Sequence, residues 1–137
     1  MARLLAIDYG LKRVGLAVTD PLQIIASALT TVPANEVVSY ISDYIKTESV
    51  ESIIVGKPTN LDGRPTDSTE AVEKFVKVLK EKFTSVPILL HDERFTSKMA
   101  LHAMIAGGSK KSDRRKKGNI DKISATIILQ SFMDSRR

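Results

Sequence analysis

The chain has 137 residues, 42% of them hydrophobic, which suits one compact domain with one ordinary core spanning residues 1–137. It has no cysteine, which excludes disulfides and thiol chemistry; with only two histidines the composition argues against a structural zinc site, and no run of about 18 apolar residues offers a membrane-spanning helix. The net charge of +5 is unevenly placed: residues 1–97 hold 11 Lys/Arg against 13 Asp/Glu, whereas residues 98–137 hold 10 against 3, a pattern that suits a polyanionic partner as well as a solvated charged surface.

The first segment, RLLAID at 3–8, is a nearly continuous apolar run and reads as a buried strand tipped by a carboxylate, Asp8. It begins at once after the first residues, without the apolar region and cleavage site of a secretory leader, and with the absence of cysteine this fits a cytoplasmic protein. VGLAVT at 14–19 alternates Val14, Leu16 and Val18 with the small residues Gly15, Ala17 and Thr19, as a second strand does. Gly10 suits the tight turn between the two, Asp20-Pro21 marks the next turn, and 24–32 reads as a third strand, so the chain opens on an antiparallel meander.

Asn35 is placed to cap a helix over 36–48, whose Val37, Val38, Ile41, Tyr44 and Ile45 recur at helical spacing. SIIVG at 52–56 is a fourth strand, and the loop 56–65 follows. Asp67, with Glu70 three later, resembles a capping box before a helix over 68–83 with Val72, Phe75, Val76, Leu79 and Phe83 on one face. VPILLH at 86–91 is a fifth strand, with Pro87 suited to its start or to a sheet edge. Thr96 or Ser97 is placed to cap a helix through Ile105, Gly107-Gly108 ends it, a basic loop follows, and a last helix runs from Ile120 to about Asp134. The expected fold is α/β: a five-stranded mixed sheet, an antiparallel meander followed by parallel strands reached through helical crossovers, with helices on both faces.

Three acids fall at element ends that this topology gathers. Asp8 ends the first strand, Glu93 lies just past the fifth, and Asp121 sits in the first turn of the last helix. With right-handed crossovers the first strand is central and the carboxyl ends of strands one and five share a rim. Three converging carboxylates repel one another unless a cation sits between them, and hard oxygen donors suit Mg2+ or Mn2+. Two such ions about 4 Å apart can activate water and stabilise the leaving oxygen of a phosphodiester. Each acid also has a plainer role: Asp8 in an Asx-turn, Asp121 as a helix-start acid, Glu93 in a surface pair with Arg94 or Lys98. Asp20, at the far end of the second strand, belongs to the opposite rim, where turn formation is its expected job.

Four motifs then carry a family resemblance: Asp8-Tyr9-Gly10-Leu11-Lys12-Arg13-Val14-Gly15-Leu16-Ala17 ending at Asp20; Gly56-Lys57-Pro58 with Asp62-Gly63; Asp92-Glu93-Arg94-Phe95-Thr96-Ser97; and Ile120-Asp121-Lys122-Ile123-Ser124-Ala125 with Ile128-Leu129-Gln130. In this order the sequence resembles the YqgF family of pre-16S rRNA nucleases, once described as Holliday junction resolvases. The resemblance covers essentially the whole chain. It implies a ribonuclease H-like fold, a metal-dependent nuclease that matures the ends of precursor small-subunit rRNA, and Asp8, Glu93 and Asp121 as its acids. Two places depart from the family pattern: Ser124 stands where a small apolar residue is usual, and Pro65-Thr66-Asp67 replaces a glycine-rich continuation of the loop.

Arg13, Arg94 and Lys57 are placed to hold phosphates beside those acids, or to pair with Asp8, Asp92 or Glu93 and so organise the rim. Lys110, Lys111, Arg114, Arg115, Lys116 and Lys117, against the single acid Asp113, form a candidate nucleic-acid-binding loop that leads into the helix of Asp121. The loop has no aromatic residue, so shape or backbone recognition is expected more than sequence reading. His91 can assist proton transfer or simply end its strand, His102 suits a helix surface, and Met99 and Met104 suit packing.

The expected partners are precursor rRNA, structured DNA and the small ribosomal subunit precursor, with the protein a monomer or weak homodimer. Three other functions stay open on the sequence: a DNA junction resolvase, a non-catalytic nucleic-acid-binding factor in ribosome assembly or transcription, and an ATP clamp. The last is suggested because Asp-x-Gly on a three-strand meander also resembles the phosphate loop of sugar kinases, actin and heat-shock chaperone ATPases. Those proteins use two such domains, and this chain has length for one.

Overall fold

A computed structural model describes residues 2–57, 67–92 and 117–136, with the backbone alone at 67, 68, 92 and 117–122. Strands β1 (Arg3–Tyr9), β2 (Arg13–Thr19) and β3 (Ala26–Pro33) form the meander. Helix α1 (Val37–Thr47), strand β4 (Val50–Lys57), helix α2 (Asp67–Lys82), strand β5 (Ile88–Asp92) and helix α3 (Lys117–Ser135) follow. The sheet order is β3-β2-β1-β4-β5, with β1 antiparallel to β2 and parallel to β4, and β4 parallel to β5. The central place of β1 and the shared direction of β1, β4 and β5 are as the crossover argument requires.

The alternation along the strands separates two cores. Leu5, Ile7, Val14, Leu16, Ile53, Val55 and Ile88 pack against Val37 and Ile41 of α1 and Val72, Phe75, Val76 and Leu79 of α2. Leu4, Ala6, Ala17 and Ile54 on the other face pack against Ala125, Ile128, Leu129 and Met133 of α3. The second face is the small-residue face of β2, and Ala6 stands directly opposite Ala17, which lets the α3 backbone approach the sheet. Ser124 is buried on α3, 3% exposed, in keeping with a small residue packed on that helix.

Several boundaries differ from the sequence expectation, each for a tertiary reason. β3 starts at Ala26 rather than Ile24, because the Ile24 and Ile25 N–H groups both donate to the Asp20 carboxylate at 2.8 Å and so belong to the turn. Asn35 does not cap α1: Pro33 hands the chain into a 3-10 turn at Ala34–Glu36, Glu36 takes the cap position, and no side-chain cap bond forms. β5 starts at Ile88 because Val86 N–H donates to the Phe83 carbonyl in a turn, while the Pro87 carbonyl accepts from Ile53 N–H. α3 starts at Lys117, three residues before the expected start, which moves Lys117 from the basic loop into the helix. The helix expected from 96 or 97 to 105 and the rest of the basic loop lie outside the described residues.

Candidate active site

The carboxyl rim of β1, β4 and β5 is where the strand register brings the described candidate residues together. Asp8 is opposite Gly15 on β2. One step beyond the Ile7–Val55 pair, Asp8 draws level with Gly56, which is in turn opposite His91; Lys57 is then opposite Asp92. Asp8 follows Leu4 and Ala6 by alternation, so its half-buried side chain lies on the α3 face of the sheet. The residues level with it on β2 and β4 are both glycines, so neither of those two positions adds a side chain beside the carboxylate.

The mount of Asp8 is stiff. The next residue, Tyr9, stacks on Phe75 of α2 with ring centroids 4.2 Å apart, which pins the end of β1 to the opposite layer. A Cβ on Gly10 would stand 2.5 Å from the Arg13 carbonyl oxygen, so the turn needs glycine for close approach. The turn returns the chain at Arg13, the half-buried first residue of β2, on the same rim as Asp8.

α3 carries Asp121, the second of the expected acids. Its carboxyl end lies at the far rim, where Arg136 is 3.9 Å from Glu51 near the start of β4, and where Met133 and Arg136 line a cavity of about 180 Å³ with Leu4 and Gln23. The start of the helix therefore runs toward the carboxyl rim, with Asp121 one turn before the buried Ala125. A hydrogen bond of 2.9 Å between His91 Nε2 and Ser131 Oγ ties the same helix to the end of β5. Sequence reasoning missed this link and the Tyr9–Phe75 stack. Glu93 follows directly on Asp92, the last residue of β5, but Glu93, Arg94, Lys110, Lys111, Arg114, Arg115 and Lys116 lie outside the described residues. Among the described side chains, no three His, Asp or Glu groups gather into a metal cluster; of the three expected acids only Asp8 has a described side chain.

Asp20 sits on the opposite rim, as expected. Its carboxylate accepts the N–H groups of Ile25 and Ile24 at 2.8 Å and of Leu22 at 3.2 Å, and the Ile25 bond leads in holding its pKa below the usual carboxylate value. Gln23, in the left-handed region at φ 58°, donates through its side-chain amide to the Ala2 carbonyl and to Glu51.

A family model described as RuvX: Holliday junction resolvase matches residues 2–135. The chain belongs to the RuvX family. RuvX-type relatives named "Putative pre-16S rRNA nuclease" include one from Amoebophilus asiaticus, 54% identical over 135 residues that cover 98% of this chain and 96% of the relative. Others are from Christiangramia forsetii, 51% identical with 97% and 98% covered, and Bacteroides fragilis, 47% identical with 100% and 99% covered. The YqgF resemblance read from the motifs is thereby borne out. Among solved structures, T. thermophilus RuvC in complex with Holliday junction substrate matches at TM-score 0.59 and 17% identity, covering 99% of this chain and 96% of that one. A second Thermus thermophilus RuvC structure matches at TM-score 0.54 and 13% identity, covering 96% of both. The fold of this RuvX-family chain is ribonuclease H-like. No helix among the described residues is long and apolar enough to cross a membrane.

Proposed function

We propose that this RuvX-family chain is a divalent-metal-dependent nuclease that processes the ends of precursor 16S rRNA. The observation that carries the reading is the placement of Asp8 at the tip of the central strand, on the face covered by the helix of Asp121, with β5 ending on the same rim at Asp92, one residue before Glu93 in the sequence. The names of the curated relatives supply the substrate.

The donor chemistry fits a hard cation, because the acids assigned to the rim offer carboxylate oxygens and the chain has no thiol. Asp8, Glu93 and Asp121 would hold Mg2+ or Mn2+, whose Lewis acidity makes water a better nucleophile and stabilises the leaving oxygen. The protein supplies rigidity and charge. β1 fixes Asp8, Arg13 and Lys57 bring cations to phosphates at the same rim, and Arg94 extends that set. Lys110, Lys111, Arg114, Arg115, Lys116 and Lys117 add sequence-independent attraction for the backbone.

A DNA four-way junction is the second reading, favoured by the description of the matching family. One experiment tests both: wild type and Asp8→Asn on precursor 16S rRNA and on a four-way junction, each with Mn2+ and with EDTA. Cleavage that needs Asp8 and metal is expected, on the RNA first. Cleavage retained by Asp8→Asn would refute the metal site, and binding without cleavage of either substrate would leave a binding factor.

A further inference from the structure

The hairpin between β1 and β2 carries at its tip Leu11, which at 75% exposure is the most exposed large apolar side chain among the described residues. It stands three residues past Asp8, on the same rim, and the metal site makes no use of it. A pliable loop would fold such a side chain back onto the protein. This tip is held on both sides. Tyr9 and Val14 form the last β1–β2 pair, Gly10 closes tightly on the Arg13 carbonyl, and Ala34 N–H donates to the Lys12 carbonyl at 2.9 Å.

Cations follow directly: Lys12 is exposed and Arg13 half-buried. An apolar point with cations beside it matches a nucleic-acid strand, where each base is flanked by phosphates. The other exposed large apolar side chains among the described residues sit elsewhere: Leu22, Ile24 and Ile25 on the far rim beside Asp20, Val78 on α2, and Leu89 and Leu90 along the edge strand β5. Among the described residues no aromatic ring is exposed as a stacking platform, and leucine is one of the side chains that proteins insert between base steps.

We infer that Leu11 is a wedge that enters a base step of the substrate beside the scissile phosphate, unstacking it so that the backbone can bend onto the rim, while Lys12 holds a flanking phosphate. The inference rests on the nuclease reading for its substrate, but it can be tested without cleavage. Substrates with 2-aminopurine at successive positions near the cut site, in precursor 16S rRNA and in a four-way junction, are bound in EDTA by wild type, Leu11→Ser and Leu11→Met. Binding by wild type is expected to raise the fluorescence at one or two positions. Leu11→Ser should lose that rise and Leu11→Met should keep it. With Mn2+, Leu11→Ser should cleave the paired substrate about five- to tenfold more slowly, because part of the cost of unstacking that base step is no longer offset by the wedge. A substrate already unpaired at that step should be cleaved as fast as by wild type. An equal fluorescence rise with Leu11→Ser, or no rise with wild type on any labelled substrate, overturns the wedge. If Leu11→Ser keeps its melting temperature but fails to bind, rescue of binding and fluorescence by Leu11→Met supports the wedge, and no rescue overturns it. Absence of cleavage with an intact fluorescence response would instead strike the nuclease reading and leave the wedge standing.

Discussion

His91 Nε2 lies 2.9 Å from Ser131 Oγ, and the imidazole meets the Phe132 ring edge-on with centroids 5.9 Å apart. The contact joins the end of the edge strand β5 to α3. These are the two elements assigned to deliver Glu93 and Asp121 to the rim. A hydrogen bond of this kind contributes about 1 kcal/mol net.

Ser131→Ala is therefore expected to lower stability by about 1 kcal/mol, and a double-mutant cycle with His91→Leu should return a coupling of similar size. On the proposed metal site, the functional effect should be larger at limiting metal than at saturating metal, because the link holds the two elements proposed to deliver ligands at a fixed separation. Urea unfolding and a Mn2+ titration of cleavage check the two parts. Equal loss at all metal concentrations would assign the bond to stability alone.

Gly10→Ala tests the hairpin. The new methyl would stand 2.5 Å from a backbone oxygen, which cannot rotate away, so the turn must open. Overpacking of this kind costs about 1–3 kcal/mol. Asp8 and Arg13 flank the turn, so cleavage should fall further than the loss of folded protein explains. Measuring the rate at a temperature where both proteins are fully folded separates the effects.

Asp20 predicts an acid sensitivity away from the site. Its pKa is depressed in the folded state below the usual 3.8, chiefly by the Ile25 N–H bond. The stabilisation is thus complete above the unfolded value and is lost as pH falls from about 4 through the lower folded value. Asp20→Asn should flatten that part of the melting-temperature profile and speed exchange of the Ile24 and Ile25 amides. Cleavage at neutral pH should stay near the wild-type rate, since the turn lies on the opposite rim.

Much of this fold was legible because its signals are local. The apolar run of β1, the alternation in β2 and the helical spacing of Val37, Ile41 and Tyr44 are each set by nearest neighbours, and the structure keeps all three. The strand direction that sends Asp8 and Asp20 to opposite rims follows from the meander itself. The misses came from contacts between distant segments. Ile24 and Ile25 look like strand residues until the Asp20 carboxylate takes their N–H groups. Asn35 looks like a cap until Pro33 and the Ala34–Lys12 bond turn the chain early. Tyr9–Phe75 and His91–Ser131 leave no periodic trace, since neither residue of a pair alters the pattern around the other.

The small face of β2 ties packing to function. Ala17 is fully buried beneath α3 and stands opposite Ala6, so between Leu4 and Ile54 the helix rests on two methyl groups. Ala17→Leu adds three carbons where no space remains, and the helix must lift or slide, at a cost of about 1–3 kcal/mol. On the proposed site, the same displacement would carry Asp121 away from Asp8. Ile53→Val, on the α1/α2 face, is the comparison: it should lose about 0.5–1.5 kcal/mol through a small cavity and leave α3 where it is. Cleavage should then need more Mn2+ for half-saturation in Ala17→Leu but not in Ile53→Val, at matched fractions of folded protein. A shared shift in both variants would mean that metal affinity follows global stability. A shift in Ala17→Leu alone would show that the seating of α3 on the alanines sets the distance between the carboxylates.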